Sequence, residues 1–388
     1  MPSILISGAS VAGPALAYWM ATSGWDVTVV ERADALREEG QNIDVRGAGR
    51  DVLRWMGLED EVRAANTGER GTEFVDSGGE VVAALGVQDG EQDGPTAELE
   101  VLRGELARVL YELTPDIVEW RFGDTIEALK RRPDGVDVRF AGGDERTFDV
   151  VAIAEGQRSA TRDLVFSDVT LEPLGVYIAY ATIPRAEHDR RTWRWYHAPG
   201  GRQVSLRPDN LGTTRAMLGF LSDERGHDER SREEQIALLR DVFGDAGWET
   251  PRILAALEGA DFYFEDLAMV HAPSWSQGRV VLLGDAAHCV TPLGGGGTSL
   301  ALIDAYVLAR ELSEHAEPAR AFAAYEAFMR PAVEAAQQLP PGVPRVAFPE
   351  SRLGVRLLRA GEKLAHLAQR LIGSPTPAID ELELPPPR

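Results

Sequence analysis

The first 31 residues constrain the fold more than any other stretch. A short β-branched run predicts a strand at Pro2–Gly8, leading into Gly8-Ala9-Ser10-Val11-Ala12-Gly13. Pro14 follows where the first turn of a helix tolerates proline, because that N–H has no helical partner anyway. Leu16, Trp19 and Met20 give this helix an apolar face, and Gly24 is placed to end it. A second strand, Val27–Val30, delivers Glu31 eighteen residues after Gly13. This order is the dinucleotide-binding βαβ unit, with Ser10 standing where the pattern has its middle glycine. Gly8 allows the tight turn, and Ser10 is small enough for a pyrophosphate to approach the backbone along Ser10, Val11 and Ala12. Gly13 lets helix and strand close up. Glu31 is placed to accept hydrogen bonds from an adenosine ribose, which argues against a 2′-phosphate here.

A second stretch points to the same ligand. Val280–Leu283 predicts a buried strand that opens onto Gly284–Ala305, reading GDAAHCVTPLGGGGTSLALIDA. It ends in a helical pattern with Leu300, Ile303, Val307 and Leu308 on one side. Between strand and helix stand a carboxylate, Asp285, a rigid corner at Pro292, and Gly294, Gly295, Gly296 and Gly297 before Thr298. Backbone N–H groups of a glycine-rich loop opening a helix form a partly positive rim for electron-rich ligand atoms. Alone this is an ordinary strand–loop–helix corner; beside the N-terminal unit it reads as the second wall of one cofactor site.

The rest of the chain divides by pattern. Val52–Met56 is a predicted helix, preceded by Arg37, Asp44 and Arg46, which either hold a cofactor or face solvent. Short strands follow at Phe74–Asp76 and Val81–Ala84, and Gln88–Pro95 reads as an acidic loop. Leu99–Leu102 leads through Arg103 into a helix, and strands follow at Ile117–Phe122, Val136–Phe140 and Phe148–Ile153. Gly175–Ser222 predicts an antiparallel meander whose alternation puts Arg194 and Tyr196 on one face and Trp193, Trp195 and His197 on the other. Which face is core is open at this level. Ser231-Arg232-Glu233-Glu234 is a capping box opening a helix, and Phe262–Val270 is a strand. Helices are expected at Phe322–Met329 and Pro331–Gln338, with a basic amphipathic helix near Leu353–Leu371 packed across the back of the protein. Ser374–Arg388, with five prolines, reads as a loose tail.

Composition excludes more than it selects. Net charge is −22 with no basic cluster on a recognisable face, so nucleic acid is not an expected partner. No apolar run approaches the ~20 residues of a membrane span, and no signal peptide is recognisable. The single cysteine, Cys289, excludes an intrachain disulfide and a Cys-rich metal site. A cytoplasmic, metal-free protein, monomer or weak homodimer, is expected.

The pair GASVAG…VVER and GDAAHCVTPLGGGG resembles the single-component FAD-dependent monooxygenases, the group of para-hydroxybenzoate hydroxylase, polyketide hydroxylases and tetracycline-inactivating enzymes. The resemblance covers most of residues 1–330 and implies an α/β fold: a Rossmann-type, glutathione-reductase-like FAD-binding domain with an inserted antiparallel substrate-binding sheet and a C-terminal helix. Residues 1–70, 99–166 and 272–330 would form the FAD-binding domain, 71–98 and 167–271 the substrate domain, 331–372 a helical segment and 373–388 the tail. By the same resemblance, Gly8–Gly13 and Glu31 hold the ADP half of FAD, and Arg32, Asp44 and Arg103 surround the flavin half and its linker. Arg37 falls at an arginine implicated in nicotinamide nucleotide binding. Asp285 binds the ribityl hydroxyls, and Pro292 and Gly295–Thr298 border the isoalloxazine ring. The implied cycle is reduction by NADPH or NADH, reaction with O2 through a C4a-hydroperoxide, and transfer of one oxygen to an aromatic, phenolic or polyketide-like substrate. Arg194, Tyr196 and Arg215 are the candidates for its polar contacts.

Departures from the family pattern are specific. Gly296 and Ser299 replace the usual glutamine and asparagine, and Glu155-Gly156 replaces an internal Asp-Gly. His288 and Cys289 are expected to be structural. Epoxidation and Baeyer–Villiger insertion remain open chemistries. A flavin-dependent halogenase would need a tunnel lysine, and none occurs before Lys130; Trp193-Arg194-Trp195 matches only part of the halogenase motif. A non-redox binding scaffold on the same fold would have no need of Gly294–Gly297.

Overall fold

The computed structural model describes residues 1–37, 40–85, 99–290, 296–340, 342–361 and 382–387. Pro292, Gly294 and Gly295 of the flavin-loop expectation, and the acidic loop at 88–95, lie outside them. In chain order the structure runs β1 (Ser3–Ser7), α1 (Ala12–Thr22), β2 (Asp26–Glu31), β3 (Asn42–Asp44), α2 (Ala48–Trp55), α3 (Glu59–Ala64), β4 (Thr72–Val75), β5 (Val81–Leu85), β6 (Glu100–Leu102) and α4 (Arg103–Glu112). Next come β7 (Glu119–Phe122), β8 (Ile126–Arg131), β9 (Val136–Phe140), β10 (Glu145–Phe148), β11 (Val150–Ile153) and α5 (Ala160–Asp163). The meander is β12 (Thr170–Pro184), β13 (Trp193–Ala198), β14 (Arg202–Pro208) and β15 (Thr213–Leu221), followed by α6 (Arg232–Phe243), α7 (Thr250–Ala256) and β16 (Phe262–His271). The chain closes with β17 (Ser276–Gln277), β18 (Val280–Leu282), α8 (Asp285–His288), α9 (Gly297–Glu314), α10 (Pro318–Gln337) and a helix over 352–361, here α11.

Strands β1, β2, β7, β11 and β18 pair in parallel in a six-stranded sheet ordered β17-β18-β11-β1-β2-β7. Parallel strands buried on both faces read as continuous apolar runs, as Ile4–Ile6 and Val150–Ile153 do. Both motif loops leave the carboxyl ends of this sheet, at β1 and β18, where open α/β sheets bind ligands. A seven-stranded sheet, ordered β16-β12-β15-β14-β13-β4-β5, stands beside it and is antiparallel except where β13 runs parallel to β4. One face of it is buried by α6 and α7 through Ile236, Leu239, Phe243, Ile253 and Leu257. The capping box at Ser231 and Glu234 is present.

Three expectations need correction. The two helices around Pro331 are one, because Phe322, Tyr325, Met329 and Val333 bury a continuous stripe that outweighs the lost hydrogen bond. The segment leading into the C-terminal helix is tied to the seven-stranded sheet, with Phe348 buried in one cluster with Ile178 and Met217 and Gly200 N donating to the Glu350 carbonyl at 2.7 Å, rather than across the back. The tail is docked at its end: Leu382 and Leu384 pack on the main core, and the Tyr306 hydroxyl donates to the Pro385 carbonyl at 2.5 Å.

Candidate functional site: a dinucleotide cradle facing an aromatic sheet

The cradle is built by close approach. Gly8 has φ +108°, and a Cβ there would lie 2.5 Å from the Ala154 oxygen; a Cβ at Gly13 would lie 1.9 Å from the Gly8 oxygen. Only glycine fits at both positions. Glu31 accepts from Ala9 N and Ala33 N, each at 3.0 Å, so it holds the loop while standing at its mouth. Arg37 reaches Glu31 at 3.6 Å from an exposed position, and Arg32 is exposed just past β2. Ser10 is exposed, with Val11 and Ala12 buried beneath the loop. Neither Val11, at the start of α1, nor Gly296, at the start of α9, supplies a side-chain cap. The first-turn N–H groups of two helices are therefore left without side-chain caps, as an anionic ligand requires. The two motif loops meet at Gly284, where a Cβ would sit 3.3 Å from the Ala12 side chain and 3.9 Å from that of Ala301.

The Asp285 side chain reaches solvent in the open cradle, and desolvation by the protein around it raises its pKa against the opposing pull of His288 and Arg103. Donors supplied by ligand hydroxyls would offset that cost. Gly297 stands where a Cβ would be 3.8 Å from Asp285 Oδ1, and Thr298 follows in the first turn of α9. Arg103 opens α4, packed against Gly40, and acts on both Asp285 and Glu265. Asp44 ends β3 and lies 3.5 Å from Arg46; burial leads in raising its pKa to about 6.

Register settles which face of the seven-stranded sheet meets the cradle. Tyr196 pairs with Val204, and Arg194 with Leu206; Tyr196, Val204 and Leu206 belong to the core under α6 and α7. Arg194 donates to the Gly79 oxygen at 2.8 Å, lies 3.4 Å from Glu73 and stacks over Trp248. Arg194 and Tyr196 therefore face the helices and are withdrawn as substrate contacts. Arg215 is on the cradle side but is ion-paired to buried Asp209 at 3.1 Å. Facing the cradle instead are Trp193, Trp195 and His197, with Phe74 beside them. Trp193 and Trp195 lie 4.4 Å apart, and His197 is near-parallel to Trp195 at 6.4 Å and to Phe74 at 6.1 Å. Alternation had grouped these rings correctly; the helices that bury the opposite face lie far downstream, so local pattern carried no sign of orientation.

A buried charge cluster joins the seven-stranded sheet to the two-stranded β3–β6 ladder. Arg207 on β14 pairs with Glu69 at 2.8 Å and Glu100 at 2.7 Å, and its guanidinium lies 3.9 Å from the Trp193 ring centre. No motif marks these residues, which are scattered over the sequence.

The chain matches the family model described as FAD binding domain over residues 2–339. It is 35% identical to the flavin-dependent monooxygenase eupH of Phoma sp over 417 residues, covering 98% of this chain and 96% of that one. A flavin-dependent monooxygenase of Legionella longbeachae is 36% identical over 342 residues, covering 86% and 87%. The chain belongs to the FAD-dependent monooxygenases. Among solved structures, tetracycline destructase Tet(55) superposes with a TM-score of 0.80 at 32% identity, covering 98% of each chain. Klebsiella pneumoniae HpxO, complexed with FAD and uric acid, superposes with a TM-score of 0.74 at 21% identity, covering 94% and 93%, and shows the shared fold.

In this monooxygenase the departures from the family motifs have local partners. Glu155 gathers the hydroxyls of Ser7, Ser159 and Thr161 and accepts from Thr161 N at 3.1 Å, so its longer arm ties β1 to α5. Ser299 is buried and accepts from Arg46 N at 3.0 Å, and a Cβ on the facing Gly49 would come within 2.9 Å of it. His288 is buried 2.8 Å from Asp304, and Cys289 is buried beside Gln157.

Proposed function

We propose that this monooxygenase takes electrons from NADPH or NADH and inserts one oxygen atom of O2 into an aromatic, phenolic or polyketide-like small molecule. Gly8, Ser10, Val11, Ala12, Gly13 and Glu31 would hold the ADP half of FAD. Asp285, Gly296, Gly297 and Thr298, with Pro292 and Gly295, would border its ribityl chain and ring, while Arg32, Asp44 and Arg103 surround the linker. Arg37 would meet the nicotinamide nucleotide. The chemistry supplied by bound FAD is electron storage and delivery of one oxygen atom; the chain's own task is to position the substrate and exclude water.

The observation that carries the substrate class is the ring wall of Trp193, Trp195 and His197 on the cradle-facing side of the seven-stranded sheet. Flat π faces bind flat ligands by offset stacking. The tetracycline destructase likeness supports the same size class. The single cysteine suits a reducing cytoplasm, and a monomer or weak homodimer needs no residue beyond one chain.

The test is a visible spectrum of the purified protein, then anaerobic addition of NADH or NADPH with and without planar polycyclic phenols. A yellow protein that bleaches, faster with one phenol present, is the expected result. Protein that cannot take up FAD, or bound flavin that neither nucleotide reduces, would overturn the reading.

A further inference from the structure

Pro385, Pro386 and Pro387 favour the extended polyproline II form, and proline holds the preceding Leu384 extended as well. In an extended segment Leu382 and Leu384 share a side while Glu383 points away. The structure has this arrangement: both leucines pack on the main core and Glu383 is exposed. A polyproline segment has no hydrogen bonds of its own, so the surface beneath it must hold it in place.

That surface is aromatic and is shared by three helices. Tyr306 of α9 lies 5.1 Å from Trp19 of α1 and 5.0 Å from Trp55 of α2, and Tyr18 meets Trp19 edge-on at 5.0 Å. Tyr306 is buried, which keeps its hydroxyl protonated, and it donates to the Pro385 carbonyl at 2.5 Å. The neighbouring Trp19 Nε1–H is buried with no acceptor among the described residues, a second donor at the same rings. Proline-rich peptides dock in grooves of this kind: the rings cover pyrrolidines, and the donors meet carbonyls that no helix or sheet uses. The same three helices border the cradle. α1 opens at the Gly8–Gly13 turn and α9 at Gly296, while a Cβ on Gly49 of α2 would come within 2.9 Å of Ser299 in the first turn of α9.

We propose that Leu382–Pro387 is a strap seated in its own chain's aromatic groove of Trp19, Trp55 and Tyr306, where it clamps the three helices that border FAD. The strap acts on retention of the cofactor and needs neither reductant nor substrate, so it goes beyond oxygen transfer. The coupling is reciprocal: what the strap adds to FAD affinity, bound FAD adds to the affinity for the strap.

The experiment removes residues 382–388 and returns them as a synthetic Leu-Glu-Leu-Pro-Pro-Pro-Arg peptide. Flavin fluorescence should show FAD binding about fivefold weaker after truncation, and saturating peptide should restore it. Calorimetry should show the peptide binding the truncated protein about fivefold more tightly with FAD present than without it. Tyr306→Phe keeps the ring and loses the donor, so in the truncated protein it should weaken peptide binding about threefold. Leu384→Asp in the full chain, which keeps the chain length, should weaken FAD binding as truncation does. A peptide that does not bind, a peptide affinity indifferent to FAD, or an FAD affinity that both truncation and Leu384→Asp leave unchanged would overturn the proposal. A dimer that truncation converts to monomer would put the segment on a second copy and overturn docking within one chain. The monooxygenase reading fails by a different sign, bound flavin that neither NADH nor NADPH reduces.

Discussion

At Gly13 the absence of one methyl group decides whether the first turn can close. A Cβ placed 1.9 Å from the Gly8 oxygen must push α1 off β1, and overpacking of this kind costs about 1–3 kcal/mol. Gly13→Ala is expected to purify with a small fraction of the wild-type flavin-to-protein absorbance ratio and a lower Tm. Neighbouring positions on β13 should separate just as cleanly. Trp195→Ala removes a ring from the cradle-facing wall, where an aromatic contact contributes about 0.5–1.5 kcal/mol, so affinity for a polycyclic ligand should fall about two- to tenfold. Arg194→Ala removes one of the two arginines paired with buried Glu73, leaving Arg190 at 3.2 Å, and opens space against Trp248. It should lower Tm and leave ligand affinity unchanged. Thermal melts and ligand titrations of both variants check this. Gly13 was legible because its demand is local: turn, strand and helix lie within a few residues. Arg194 was misread because an alternating strand states which residues share a face and not what covers that face.

At the scale of elements, α8 and α9 are held together by one buried carboxylate. Asp304 accepts from Gly284 N at 2.8 Å and lies 2.8 Å from His288, so it fixes the start of α8 where Asp285 emerges. Burial opposes a charge on His288, but the Asp304 carboxylate outweighs it and the pKa is raised. A raised histidine pKa contributes stability that is full below the unfolded value near 6.5 and is lost as pH rises through the folded value. Breaking a buried pair typically costs about 3–5 kcal/mol. Asp304→Asn should therefore lower Tm strongly at pH 6, with the gap to wild type narrowing towards alkaline pH. Melting curves at several pH values read both effects. Asp304 lies within the stretch singled out as the second cofactor wall, yet its partnership with His288 spans a loop and a turn of helix that spacing alone does not close.

At the scale of the molecule, the seven-stranded sheet meets the two-stranded β3–β6 ladder and the loop before β4 through Arg207, Glu100 and Glu69. One guanidinium faces two directly bonded carboxylates, with Asp44 close by, so burial pushes the Glu69 pKa up to about 8, with Arg207 pulling the other way. Native Glu69 then binds its proton well above the unfolded value of 4.5. Its contribution is full below that value and is lost as pH rises towards 8, because the native state must surrender a proton it holds tightly. Wild type should lose stability against Glu69→Gln between pH 6 and pH 9 in denaturant titrations; parallel curves for the two proteins would count against this account. Glu69, Glu100 and Arg207 carry no motif, and their meeting depends on how two sheets dock.

The amino-acid sequence alone determined the cofactor half of this protein. The turn at Gly8, the helix after Gly13, the acid at Glu31 and the glycine-rich entry to α9 are short-range requirements of backbone geometry and anion binding, and each is written within a few residues. The capping box at Ser231 was legible for the same reason. What only the tertiary structure decided is the arrangement of the seven-stranded sheet: which face of the meander is buried by α6 and α7, and which arginines are neutralised. Those outcomes depend on contacts between residues far apart in the chain, where burial and charge compensation, not local propensity, set the lowest free energy.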